Sequence, residues 1–506
     1  MSDILVSGDD RRQELFLPKM LDDYVDEDNE SRFIDAFVNW LDMKALGFKH
    51  AEPCGGAGRA PYDPRPLLSL LIWGYLNGVR SSRKLERECH RNLELHWLLR
   101  RLTPDFKTIA DFRKDNIDAI KPVFKMFVQF LQSIDLIEGK IASLDGTKIK
   151  AWNSTKRHYN AARLAFKLKK LEEGVEKFVK ELAENDRIAD KEEDELKKEL
   201  SRQRTEYLKK KIEKLKKSKE ELNKIGEKLE KSGQTEIALT DPESRLMKNN
   251  QRFEVCYNAE ATVDAKEKMF VDYDVVNEAN DERQLAPMAM STKEALGVEK
   301  LDMLMDTGFE NALQLKECIE NGITPYVPLE LGKGGKSKVP DPVAFGRDKF
   351  LYDNEKDVYL CPAGNEMNFT YTALTKQEGK QVRKYRTSEC KGCPFRSRCT
   401  TNKRGRIIDR WESQEILDEI RERVKYEPEK MDLRKETSEH PFGTLKRNFN
   451  HGYFLMRGLK KVKGEFGLSV LVYDIRRALD IMGTKDLIDS LVACLLPRKT
   501  MKYLTC

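Results

Sequence analysis

The sequence has no run of about 18 or more apolar residues, so it offers no membrane-spanning helix. Its opening, MSDILVSGDDRRQ, lacks the charged, apolar and small-residue regions of a signal peptide, and the chain reads as cytoplasmic with no membrane partner. Charge of one sign is also missing: 92 Lys and Arg stand against 86 Asp and Glu, a net of +6 with 35% of residues charged. That balance neither demands nor excludes nucleic acid, because the sign of a local patch matters more than the total. The six histidines show no metal-ligand spacing. A phosphate-binding loop is absent too. GKGGKSK (332–338) ends like one, but the required first glycine falls on Glu330 and a Pro-containing loop follows, so ATP is not implied. Cysteine is present, ten in all, and in a cytoplasmic chain these read as thiols or metal ligands rather than disulfides.

A chain of 506 residues is too long for one core and predicts several domains or insertions. After an N-terminal tail (1–29), residues 30–135 read as an all-α domain. FIDAFVNWLDMKAL, PRPLLSLLIWGYLNG, SSRKLERECHRNLELHWLLRRL and DFRKDNIDAIKPVFKMFVQFLQSI each repeat apolar residues at three- and four-residue steps. Gly78 and Ser81-Ser82 separate two of these helices, and the second opens with Arg83 and Lys84, as in a helix-turn-helix that reads DNA; a plain helical packing domain fits the same pattern. Residues 136–160 then alternate as a strand carrying Asp145. In 161–235, Leu164, Leu168, Leu171, Val175, Phe178 and Leu182, then Leu208, Ile212, Leu215, Leu222, Ile225 and Leu229, trace the seam of a coiled-coil hairpin. Such an arm serves as a spacer, a dimerisation element or a DNA-embracing element.

Residues 240–330 read as a hairpin (RFEVCYNAEATVDA, KMFVDYDVVNEAN), a helix, a short strand ending at Asp306, a helix and a last strand. A helix after Pro441 completes the series, with 436–485 as its final part and 486–506 as a C-terminal tail. This order is that of an α/β core of RNase H-like (ribonuclease H) type with a mixed five-stranded sheet. In that fold the first and fourth strands are neighbours, so Asp145 and Asp306 would meet across 161 residues of sequence, with Glu439 on the last helix as a third acid. Three carboxylates on rigid elements suit two Mg²⁺ (or Mn²⁺) ions per active site, which activate the attacking oxygen and stabilise the leaving one in phosphodiester cleavage. Pro441 in a first helical turn predicts a helix starting near Glu439. That leaves the rival acid Glu436 in the preceding loop, while Glu465 lies in the next helix.

Between these parts, residues 331–435 hold Cys361, Cys390, Cys393 and Cys399. Their spacing predicts a structural Zn²⁺, with a [4Fe-4S] cluster or unmetallated thiols as alternatives. Arg396, Arg398, Lys403, Arg404 and Arg406 give the insertion basic character. Cys54, Cys89, Cys256, Cys318, Cys494 and Cys506 have no comparable spacing and read as ordinary thiols.

SLDGTKIKA, MDTGF and SEHPFGTLKR…YFLMRGLKKVKGEFGLSVLVYDIRRAL, in this order and together with the helical segment at 60–115, resemble the bacterial insertion-sequence DDE transposases over residues 30–485. The resemblance implies Asp145, Asp306 and Glu439 as the metal-binding triad, and Lys446, seven residues after the glutamate, as a DNA contact joined by Arg447. The family's tyrosine and arginine before the glutamate are not matched: Asp432 and Lys435 stand there, and Arg434 lies five residues upstream of Glu439. It further implies double-stranded DNA as partner, both the terminal inverted repeats and target DNA, and at least a homodimer in a nucleoid-associated complex. Strand cleavage would be followed by 3′-hydroxyl strand transfer. A catalytically silent or domesticated DNA-binding regulator, or a coiled-coil scaffold, is the alternative.

Overall fold

The computed structural model describes residues 20–52, 61–281, 283–329, 339–374, 381–411 and 413–494; the GKGGKSK segment, Cys54 and Cys506 lie outside them. Six helices build the N-terminal region: α1 (Glu30–Trp40), α2 (Pro64–Leu76), α3 (Ser82–Cys89), α4 (Leu93–Leu98), α5 (Phe106–Asp115) and α6 (Ile117–Ser133). The sequence pattern predicts four helices, and two of those are broken by asparagine. The Asn92 side chain caps α4 by accepting from the Leu95 amide, and the Asn116 side chain donates to the Phe112 carbonyl and accepts from the Lys49 amide. In both places a short amide competes with the helical ladder and ends it. Helix α2 is buried from Leu67 to Leu76, and α3 approaches so closely that a Cβ at Gly74 would fall 2.5 Å from Leu85 Cδ2.

The central sheet uses β1 (Ile141–Lys150), β4 (Arg245–Asn249), β5 (Arg252–Asp264), β6 (Phe270–Val276), β7 (Leu301–Leu304) and β8 (Ile323–Tyr326). Its path is β4-β5-β1-β7-β8, with β6 also on β5. Strands β1 and β5, β4 and β5, and β5 and β6 run antiparallel; β7 runs parallel to β1, and β8 parallel to β7. The sheet is mixed as expected but has six strands, not five. Strand β5 is 13 residues long, so its outer edge has room for both β4 and β6. Helices α9 (Leu285–Leu296) and α10 (Ala312–Glu320) link the later strands.

A two-stranded ladder of β2 (His158–Asn160) and β3 (Glu236–Ala238) closes the base of the arm, which consists of α7 (Ala161–Ala189) and α8 (Glu195–Ser232). Buried Leu164, Leu222 and Leu229 with Tyr159 form its local core. Asn185 of α7 donates to the Ser201 carbonyl and the Thr205 hydroxyl of α8, fixing the pair near the tip.

The cysteine-bearing segment folds as a second, antiparallel sheet that the sequence pattern did not predict: β9 (Leu351–Asp353), β10 (Val358–Leu360), β11 (Glu366–Leu374), β12 (Gln381–Arg386) and β13 (Ile408–Trp411), with short helices α11 (Pro342–Phe345) and α12 (Arg396–Cys399) beside it. Its strands are largely polar because one face is solvated; Phe350, Tyr359, Met367, Tyr385 and Ile408 supply a core on the other. Helices α13 (Gln414–Tyr426), α14 (Glu429–Arg447), α15 (Leu459–Met482) and α16 (Thr484–Ala493) complete the chain, the last inside what reads as a tail and packed on α1. No helix among the described residues is long and apolar enough to cross a membrane.

Candidate active site

Strand β1 runs from a buried start (Ala142–Leu144) into half-exposed residues from Asp145 onward. Ser143 pairs with Leu304 of β7 in parallel register, so Asp306, two residues beyond Leu304, arrives level with Asp145 at the same sheet edge. A glycine amide holds each carboxylate. The Gly146 N–H donates to Asp145 Oδ1 at 2.8 Å, and the Gly308 N–H donates to Asp306 Oδ1 at 2.8 Å. Burial, and then the charge of Asp306, push the Asp145 carboxyl up to about 6, against the Gly146 amide, Arg434 and the Ser438 hydroxyl. A carboxylate such as Asp145, whose ionisation burial and a neighbouring Asp306 disfavour, is a site where a cation relieves the cost. Mg²⁺ takes oxygen ligands, keeps several waters and is commonly bound by one or two carboxylates plus substrate phosphate, so the Asp145–Asp306 pair fits such an ion.

Helix α14 lies over this edge. It does not begin near Glu439 as Pro441 predicts; it starts at Glu429 and carries Pro441 inside. The Thr437 and Ser438 hydroxyls bond back to the Leu433 and Arg434 carbonyls, and the Thr437, Ser438, Pro441, Phe442 and Leu445 face is buried on the core. That packing outweighs the hydrogen bond Pro441 cannot make. Glu436 is therefore helical and not in a loop.

Among the α14 groups that act on Asp145 are Arg434 and Ser438. Glu439, next to Ser438, sits on the exposed flank and lines an open groove of about 540 Å³ with Lys435, Glu436, His440 and Arg447. Lys446, about 20° from Glu439 on an ideal helix, is half-buried and does not line that groove. Burial lowers its ammonium pKa, and it feels the charge of Asp145. The rival acids are engaged elsewhere. Glu436 lies 3.6 Å from Lys268; Glu465 is fully buried, 3.5 Å from Arg80, and accepts from the Leu455 and Met456 amides. Among the described residues, no group of three or more His, Cys, Asp or Glu side chains is set to hold a metal ion. Asp145 and Asp306 are thus brought together, and Glu439 stands beside them without closing a triad.

Sequence reasoning missed a polar group on the opposite face of the sheet. Lys148 Nζ and Asn258 Nδ2 both donate to Asp281 Oδ1, at 2.9 and 2.6 Å, and Asn258 also donates to Glu260. Glu260 has no exposed surface, and burial followed by the Asp281 charge pushes its carboxyl well above the usual range. The signal was an acid and an amide inside the otherwise apolar run CYNAEATV.

The four cysteines of the second sheet, Cys361, Cys390, Cys393 and Cys399, line one cavity of about 20 Å³. Burial, and then the neighbouring Cys390, Cys361 and Cys393, raise the Cys399 thiol to about 11 against the pull of Arg406. Gly405, at φ +89°, closes over the site where a Cβ would meet Cys390 Cβ at 2.7 Å. The basic residues here are partly engaged: Arg398 pairs with Asp341, Arg396 donates to the Lys403 carbonyl, and Arg406 is buried over the Phe350 ring. On α3, Arg83 and Lys84 are both exposed, and Arg83 lies 5.0 Å from the Phe106 ring.

Two sequence families match the chain. One, described as Transposase domain (DUF772), matches residues 19–115, the helical N-terminal region. The other, described as Transposase DDE domain, matches residues 360–479, from the second sheet through α15. No curated protein matches. Among solved structures, a piggyBac transposase synaptic complex with hairpin DNA aligns at 8% identity over 92% of this chain and 80% of that one; its TM-score of 0.29 is too low to carry weight.

Proposed function

Since the chain carries the two domains typical of bacterial insertion-sequence DDE transposases, we propose that it is a metal-dependent DNA transposase: it binds the terminal inverted repeats of its element, cleaves a strand at the end and joins the freed 3′-hydroxyl to target DNA. One observation carries the reading. Asp145 and Asp306, far apart in sequence, share one edge of adjacent parallel strands and repel each other there. The strand order, with β6, β5 and β1 antiparallel and β7 and β8 parallel to β1, supports an RNase H-like core interrupted by the α7–α8 arm and the cysteine sheet.

Asp145 and Asp306 would hold a divalent cation, which would supply polarisation of the scissile phosphate and activation of the attacking water or hydroxyl. The chain's own groups do the positioning. The Gly146 and Gly308 amides fix the two carboxylates, and Arg434 and Lys446 offer cations to the phosphate on the same side. Glu439, on the exposed flank of α14 next to Ser438, would be the third ligand. Arg83 and Lys84 on α3, with Arg447 on α14, contact phosphate, which orients the duplex. No covalent protein intermediate is required. Joining two ends takes two such sites, hence at least a homodimer in the complex. Cys361, Cys390, Cys393 and Cys399 line one cavity, and a structural Zn²⁺ there would be held by these four thiols and would contribute folding energy to the small sheet.

A nicking assay on a duplex bearing the element's ends, with Mg²⁺ or Mn²⁺, tests the reading. The native protein nicks and transfers, and Asp306→Asn binds the ends without nicking. A second reading, a DNA-binding regulator with a silent nuclease, is favoured by the outward setting of Glu439; it predicts end binding without nicking by the native protein.

A further inference from the structure

The two glycines that hold the candidate ligands are backed by a pair of acids that no sequence motif marks. A Cβ at Gly146 would lie 2.7 Å from Glu260 Oε2 and 2.9 Å from Oε1, so the carboxyl of Glu260 rests directly on the peptide whose N–H holds Asp145. A Cβ at Gly308 would lie 2.9 Å from Asp306 Oδ1 and 3.5 Å from Asp281 Oδ2, so Asp281 stands beside the turn whose N–H holds Asp306. The two acids are joined through Asn258, which donates to both, and Lys148 pins Asp281. Glu260 is fully buried, and its Oε2, the atom aimed at Gly146, has no hydrogen-bond partner among the described residues. A buried acid of this kind in a strand interior is costly unless it is placed for a purpose.

We propose that Glu260 and Asp281 are positioning residues that set the spacing of the Asp145 and Asp306 carboxylates, Glu260 by packing on the Gly146 peptide and Asp281, tied to Glu260 through Asn258, by flanking the Gly308 turn. At Gly146 the Glu260 carboxyl leaves no room for a Cβ, and at Gly308 the Asp306 carboxylate itself takes that space while Asp281 packs at ordinary contact distance. The inference rests on the reading of Asp145 and Asp306 as cation ligands. It extends that reading to residues on a strand and a loop outside every expected motif.

The test is calorimetric titration of Mn²⁺ into the full chain, with thermal unfolding recorded alongside. Glu260→Ala, Asp281→Ala and Gly146→Ala each weaken Mn²⁺ binding by about 10- to 100-fold, the range for residues that orient ligands. Glu260→Gln keeps the shape of the acid and stays within about threefold of the native protein. Thr262→Val, a buried change on the same strand away from both glycines, lowers the melting temperature but leaves the Mn²⁺ affinity unchanged. If Glu260→Ala does not fold, Gly146→Ala carries the test, since it disturbs the same contact from the other side. Native-like Mn²⁺ affinity in Gly146→Ala and Asp281→Ala, with binding lost in Asp306→Asn, overturns the proposal while leaving the site reading intact. Equal weakening by Thr262→Val overturns it as a general stability effect. Native-like binding by Asp306→Asn overturns the site reading itself.

Discussion

Replacing Asp145 by asparagine should stabilise the metal-free protein at neutral and alkaline pH. The native carboxyl is raised from the ordinary 3.8 to about 6 by burial and by Asp306. A carboxyl that binds its proton more tightly when folded keeps the folded form favoured below the unfolded value and loses that advantage as pH rises through the folded one. The window is therefore pH 3.8 to about 6, and roughly two units at about 1.4 kcal/mol each give a cost of up to about 3 kcal/mol above it. Asparagine fills the same space and can still accept from the Gly146 amide, but it never ionises. Urea unfolding followed by tryptophan fluorescence should find Asp145→Asn more stable than the native chain by about 1–3 kcal/mol at pH 8, with the gap falling below about 0.6 kcal/mol at pH 4. Saturating Mg²⁺ should close the gap at pH 8 by stabilising only the native protein. A variant no more stable than the native chain at pH 8, or a gap that does not shrink on acidification, refutes the reasoning.

Three further outcomes are expected. Glu439→Gln should reduce metal-dependent nicking by at least about 100-fold while end binding in a mobility-shift assay is unchanged, the scale for removing one charge-stabilising group. Arg80→Ala should cost about 3–5 kcal/mol in chemical unfolding, because it leaves buried Glu465 without its cation and removes the donor to the Asn450 and Tyr453 carbonyls. Cys393→Ser should release one equivalent of Zn²⁺, measured by a colorimetric chelator after acid treatment, and lower the melting temperature of the full chain; a native protein purified without zinc removes that expectation.

Much of this fold is written in short-range pattern. The three- and four-residue steps of PRPLLSLLIWGYL give α2, whose apolar residues crowd every face so that it is buried from Leu67 to Leu76, and the alternation in SLDGTKIKA gives β1. The adjacency of Asp145 and Asp306 is legible only through strand order, since parallel pairing joins segments that no local pattern connects. The start of α14 was misread because a proline usually marks a first turn. Here the buried Phe442 and Leu445 hold the helix through it. The second sheet went unseen although Met367, Phe369, Tyr371 and Ala373 alternate with polar residues along β11, because the surrounding segment is polar and the strand is largely exposed, with only Met367 buried. Glu260 escaped notice for the opposite reason: it sits in a strand that reads as fully buried, where an acid has meaning only once Gly146 is known to lie beneath it. The position of Glu439 on the open flank of α14 follows from helix phase around Ser438, a detail finer than sequence spacing conveys.

The measurement closest to the central claim replaces Mg²⁺ with Fe²⁺ on the full chain with bound end DNA, generates hydroxyl radicals at the ion and maps the backbone cuts. An ion shared by Asp145 and Asp306 predicts paired cuts beside both residues, suppressed by excess Mg²⁺ and lost together in Asp306→Asn. Cuts at neither position, or at one alone, contradict it.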